Sequence, residues 1–267
     1  MKKSAKSGFT LVELSIVLVI IGLLIGGILV GQSLIESAKM QSFIRQLGQY
    51  DAAVGIFKDK FGNLPGDNSL FGTVLAAPAN LGNGMISDNA SGITLFNGEI
   101  GAFWADLSAS GLKSEDNAAT FTAVRDNATT APIMGTHVPQ AKVGTNASIY
   151  AYGIGGKNYY FVGSNSTSTL AFGLTSGALK PADSLAVDSK IDDGIPETGN
   201  VMAQAASVGT LPAAADYTTP TTMDGTPSPT ECILTAATPA TSTYNAAVAN
   251  DYCKLSIRIG TSTGVLQ

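Results

Sequence analysis

Lys6-Ser7-Gly8-Phe9-Thr10-Leu11-Val12-Glu13-Leu14 joins a short basic leader to an apolar run that carries one carboxylate. The run extends from Phe9 to Val30, and Glu13 is its only charge. About 20 apolar residues span a bilayer as a helix, so the stretch reads as a membrane span. A carboxylate at the centre of such a span costs about 2.5–3.5 kcal/mol even on the lenient insertion scale. Glu13 therefore calls for a partner, and a positive one satisfies it best.

Lys2, Lys3 and Lys6 precede the run, and no basic residue follows it before Lys39. The positive-inside rule keeps the leader in the cytoplasm and sends the remainder across the membrane. A cleavable secretory signal shares the basic start, but its apolar core is normally about 7–15 residues with a small-x-small exit. Here Gln32-Ser33-Leu34-Ile35 runs straight into a helical pattern. The anchor reading prevails.

The order Gly8, Phe9, Thr10, Leu11, Val12, Glu13, after a basic leader and before an apolar helix, resembles the type IV pilin and pseudopilin superfamily. The resemblance implies that a membrane-embedded prepilin peptidase cuts the Gly8–Phe9 bond and methylates the Phe9 amine. It also implies that Glu13 serves subunit assembly. Cleavage would place an ammonium at Phe9, at the membrane boundary. A buried carboxylate must be protonated or paired, so a neighbour's Phe9 ammonium meeting Glu13 would set the register between helices. The expected partners are the peptidase, other pilin subunits, the inner-membrane assembly machinery and, before assembly, the lipid bilayer.

Charge fits an exported structural protein. The chain has 15 Lys+Arg against 20 Asp+Glu, a net of −5. Loss of the three leader lysines leaves 12 against 20, or −8. Nucleic acid is not an expected partner, because phosphate binding needs clustered Lys and Arg.

The helix continues beyond the membrane. Met40, Phe43, Leu47, Tyr50, Val54, Phe57 and Phe61 recur at alternating steps of three and four, one apolar seam. Gln41, Arg45, Gln49, Asp51 and Lys58 are expected on the other faces. A single helix from about Thr10 to Phe61 would be roughly 75–80 Å long. Gly62-Asn63-Leu64-Pro65-Gly66-Asp67 ends it. Gly22, Gly26, Gly27 and Gly31 give small-xxx-small spacings that allow close helix approach. Many pilins carry a proline about 22 residues into the mature chain, where this one has Val30, so helix melting at that point does not carry over.

After Pro65 the sequence turns rich in Gly, Asn, Ser, Thr and Ala. Glu99–Leu107 reads as a short helix, with Ile100, Phe103, Trp104 and Leu107 in the core. Ser148–Gly155 and Lys157–Gly163 flank a Gly155-Gly156 turn, a hairpin signal. Ser168–Leu174 reads as a further strand. Cys253, Leu255, Ile257 and Ile259 alternate with Lys254, Ser256 and Arg258, which predicts a half-buried strand. The fold class is α+β and pilin-like: a spine helix packed by an antiparallel sheet with long loops. The organisation is a leader (1–8), a transmembrane and assembly half of the spine (9–30), an amphipathic half (31–61) and a head (62–267).

Cys232 and Cys253, an isolated pair in an exported chain, are most simply one disulfide closing a carboxyl-terminal loop; pilins commonly carry such a loop. The preceding and enclosed Thr-, Ala- and Pro-rich segment Val208–Ala247 would be held on the surface by that staple. Asp188, Asp192 and Asp193 cluster as calcium ligands would. The EF-hand register fails, however, at Lys190, Asp193 and Gly199, and the other reading is a helix end whose Asp side chains cap the turn before Pro196. Catalytic signatures are thin. His137 lies in a loop context that predicts a surface residue; Gly153–Asn158 departs from a phosphate loop; Ser110-Gly111-Leu112-Lys113 lacks companion motifs. The chain reads as a substrate of enzymes, with no cofactor expected beyond the calcium question. A monomeric, signal-anchored periplasmic protein that binds a ligand or adheres is the other functional reading.

Overall fold

The computed structural model describes residues 8–68, 81–87, 96–111, 120–124, 131–164, 177–205, 232–234 and 241–260. Helix α1, Leu11–Phe61, is unbroken over 51 residues. Thr10 caps its start, and Gly62 ends it in the left-handed conformation (φ 81°), donating its N–H to the Lys58 carbonyl. Lys58 and Lys60 in the last turn complement the negative end of the helix dipole. Helix α2, Gly98–Ala109, and helix α3, Pro181–Ile191, lie in the head. Strands β1 (Ala147–Ile154), β2 (Lys157–Ser164), β3 (Val201–Ala205), β4 (Ile233–Leu234), β5 (Thr243–Tyr244) and β6 (Cys253–Arg258) complete the described elements.

One antiparallel sheet has the order β1-β2-β6-β3; β4 and β5 form a separate two-stranded ladder. The expected hairpin is present. Gly155 (φ 59°) and Gly156 (φ 78°) both take positive φ, as a tight two-residue turn between right-twisted strands requires. Ser168–Leu174 lies outside the described residues, as does most of the Val208–Ala247 segment.

The spine changes character at Met40. No side chain from Gly8 to Lys39 is buried, and Phe9 and Leu11 are 90% and 86% exposed. From Met40 onward the predicted seam enters the core: Met40, Phe43, Leu47, Tyr50, Val54 and Phe57 are buried, with Phe61 partly so. Tyr50 meets the Trp104 ring edge-on at 4.7 Å and the Tyr160 ring at 6.2 Å, joining spine, α2 and sheet. Gln46 adds a polar tie: its Nε2 donates to the Gln140 carbonyl (2.8 Å), and its Oε1 accepts the Lys142 N–H (3.0 Å).

Three expectations are corrected. Asp51 is buried, not on a solvent face; it accepts the Gly260 N–H at 2.8 Å and pins the chain after β6 to the spine. Strand β6 is buried on both faces: β2 and β3 close its edges, and elements beyond the sheet, α3 among them, pack against it, so Lys254 and Ser256 are as enclosed as Leu255. Ser256 meets the Tyr152 hydroxyl at 2.8 Å. His137 is also buried, and its Nδ1 accepts the Ile133 N–H at 2.9 Å, so it closes a turn. Burial lowers its pKa, in keeping with a neutral ring that accepts.

Candidate functional site

The amino-terminal site is built by the way α1 begins. Thr10 is extended (φ −79°, ψ 152°), and its Oγ1 accepts the Glu13 N–H at 3.2 Å. Glu13 Oε2 in turn accepts the Thr10 N–H at 2.8 Å and the Thr10 Oγ1–H at 2.8 Å. This reciprocal arrangement satisfies two donors that the first helical turn leaves open. Its signal, Thr-x-x-Glu over residues 10–13, stands in the sequence, and reading Glu13 only as a lone charge missed it. The carboxylate thus has a partner within its own chain. Phe9 lies directly outside the cap, fully accessible, beside the Gly8–Phe9 bond.

The acidic turn after α3 does bring Asp188, Asp192 and Asp193 together, with one oxygen of each within 4.8 Å of the others. Every one of these carboxylates already accepts from the protein. Asp188 takes the Tyr244 hydroxyl (2.8 Å) and the Gly194 N–H (3.2 Å). Asp192 takes the N–H groups of Asn200 and Val201. Asp193 takes the Ile195 N–H (2.8 Å) and the Thr198 hydroxyl (2.6 Å). Gly199 (φ 77°) has no side chain because the Asp192 carboxylate fills that space. These bonds are those of a capped helix end, and they leave each ionised carboxylate further lone pairs. Burial, reinforced by Asp193 and Asp192, pushes the Asp188 carboxyl up to about 7.

Against known families, the model of the prokaryotic N-terminal methylation motif matches residues 3–29, about a tenth of the chain. The amino terminus is of the prepilin type. No curated protein matches the chain, and no solved structure does. The prepilin motif lies on the one described helix long and apolar enough to cross a membrane, and the α+β layout behind it is pilin-like. The chain is accordingly a membrane-anchored, pilin-like substrate of a prepilin peptidase.

In the head of this prepilin the two cysteines are joined: Cys232 and Cys253 form a disulfide with Cα atoms 5.0 Å apart. The bond ties the residue before β4 to the first residue of β6, so the small ladder hangs on the main sheet.

Two further carboxylates, not singled out as site residues in the sequence, are wholly enclosed. Asp67 accepts the N–H groups of Gly82 and Gly84, the second at 2.8 Å. Glu99, on the first turn of α2, faces Asp67; its Oε2 accepts the Ser87 N–H (2.7 Å) and the Ser87 hydroxyl (2.9 Å). Burial, with Asp67 adding to it, pushes Glu99 up to about 7. A proton held on Glu99 gives its otherwise unpartnered Oε1 a donor role toward Asp67. No local pattern in the sequence marked either carboxylate, because the two come from segments that meet only in the fold, where the Asp106 carboxylate accepts the Gly66 N–H at 3.0 Å.

Proposed function

We propose that this prepilin is a structural subunit that polymerises into a type IV pilus or a secretion pseudopilus through its amino-terminal helix. Before assembly it would stand in the inner membrane by a single span, leader cytoplasmic and head periplasmic. Prepilin peptidase would cut between Gly8 and Phe9 and methylate Phe9. The observation that carries the reading is the bare helix from Phe9 to Lys39, which the head leaves uncovered and which is apolar as far as Val30 apart from one carboxylate, Glu13, near its start. Such a surface is stable only in lipid or against other rods. In a bundle of rods, Glu13 Oε2 keeps its cap to Thr10 while Oε1 is the oxygen a neighbouring subunit's Phe9 ammonium would meet. Leaving that charge unanswered in low dielectric would be costly, so pairing and register are set together.

Mass spectrometry of the native chain tests the processing step, with a methylated Phe9 terminus expected. An intact Met1 leader on chains recovered from filaments would end this reading, and an intact leader on a monomer would favour the signal-anchored alternative. For assembly, a Glu13→Ala variant should insert and be cleaved at the parental rate, yet yield at least tenfold less sheared filament. Filament at the parental level would remove Glu13 from assembly.

A further inference from the structure

A cleft of about 700 Å³ lies at the end of the spine farthest from the membrane segment. Its walls are the last turn of α1, the turn after Gly62, the 82–84 loop, the β1–β2 turn and the end of β6. Three of the mature chain's 12 cations, Lys58, Lys157 and Arg258, converge on it from three separate elements. Lys58 and Lys157 are exposed; Arg258 is half-buried, its Nη1 donating to Asn200 Oδ1 at 3.4 Å. The wall has two carboxylates, and only Asp59 faces solvent. Asp67 is enclosed, with both oxygens given to glycine N–H groups. In a chain of −8 this is a local reversal of sign. Balancing the helix dipole accounts for Lys58 but not for Lys157 or Arg258, which lie on the sheet.

The loop that forms one wall is held at unusual cost. Asp67 grips Gly82 and Gly84 from beneath, and Glu99 backs Asp67. From the other side Asn158 accepts the Ile86 N–H (3.0 Å) and donates to the Gly84 carbonyl (2.8 Å). Gly153 donates to the Ile86 carbonyl at 2.6 Å. Two buried carboxyls and a buried network thus position a short run of exposed residues, 82–84. Burying polar groups for that end is expensive, and rigid walls are what a binding site needs. Gly62, Gly84 and Gly156 all take positive φ (81°, 81° and 78°), so the turns that form these walls require glycine for their backbone.

We propose that this cleft binds an acidic oligosaccharide bearing carboxylate or sulfate groups. Its volume falls in the range of small-molecule sites. Cations spread across the walls suit several anionic groups on one ligand rather than a single small anion; the Asn63 carboxamide and the Asn83 amide N–H groups, the Asn83 Oδ1 being held by the Met85 N–H, offer partners to hydroxyls. A peptide that binds by strand addition has no place here, because β2 and β6 are interior strands; a peptide read through its acidic side chains is the competitor, tested by titration. The site is independent of polymerisation, since none of these residues lies on the bare rod.

The test is calorimetric titration of the full-length chain in detergent micelles. Four probes are needed: a heparin-derived hexasaccharide, a trigalacturonate, a neutral dextran-derived oligosaccharide and a poly-glutamate peptide. Binding of at least one of the acidic saccharides is expected, weakening as salt rises, and which one binds tells sulfate from carboxylate. Lys157→Glu should weaken binding by about tenfold or more, with a parental melting temperature because the side chain is exposed. Lys58→Glu should weaken binding likewise, with a small drop in melting temperature because it also reverses the charge at the helix end. Ligand should raise the melting temperature of the parent but not of Lys157→Glu, a readout that survives if one variant folds poorly. The proposal is overturned if neither acidic saccharide binds, if the neutral saccharide or the peptide binds as well, or if both charge reversals leave affinity unchanged.

Discussion

At the scale of single residues, two enclosed carboxyls make the head sensitive to pH. Glu99 and Asp188 both stand near 7 in the folded protein, raised chiefly by burial. Unfolded carboxyls titrate at about 4. Between those limits the folded chain retains protons that the unfolded chain has released. The stability these groups contribute is therefore complete below about pH 4 and is lost as pH rises through 7. The melting temperature of the head should fall by several degrees between pH 5 and pH 8. Glu99→Gln keeps an N–H toward Asp67 and an acceptor for Ser87 but cannot ionise. Melting curves of this variant should show a clearly shallower loss over that interval; an unchanged slope would remove Glu99 from the account. Glu13 belongs to the same scale. Its charge was legible as an anomaly in an apolar run; its cap depends on the Thr10 backbone turning extended just before α1, which the spacing of Thr10 and Glu13 permits but does not impose.

Elements show why some of the structure could be read in advance and some could not. The spine announced itself by a three–four periodicity sustained from Met40 to Phe61, about six turns, and the hairpin by two adjacent glycines. Both signals are local. The burial of Asp51, Lys254 and His137 was illegible because each depends on what arrives from elsewhere in the chain. For Asp51 the partner is an N–H 209 residues away. Contact between elements is equally strict at Gly66 (φ 83°), where a Cβ would drive into the Glu99 carbonyl. Gly66→Ala should destabilise the head by about 2–4 kcal/mol, combining a strained backbone with a clash against α2, measurable by urea denaturation. The disulfide acts between elements as well. Replacing both Cys232 and Cys253 by serine removes a loop closure across 21 residues of separation, worth about 3 kcal/mol. Hydrogen exchange should then speed first in β4 and β5, whose remaining ties to the main fold include the Tyr244–Asp188 bond.

On the scale of the whole molecule, the chain is two objects sharing one helix, and the seam between them can be located by truncation. Among the described residues no side chain before Met40 is buried, while Met40, Phe43 and Leu47 are within 4% of complete enclosure. A chain beginning at Glu36 therefore discards the membrane rod and no core residue. It should be soluble and monomeric by size exclusion, and melt within about 2 °C of the full chain, since surface changes cost little. A chain beginning at Gln49 loses three large core side chains and the Gln46 tie to residues 140–142. Each such side chain is worth about 2–5 kcal/mol when truncated, and a domain has only about 5–15 kcal/mol in total. That shorter chain should show no cooperative unfolding transition. If it melts cooperatively near the temperature of the longer one, the spine's second half is an appendage, and the head's stability comes from the sheet alone.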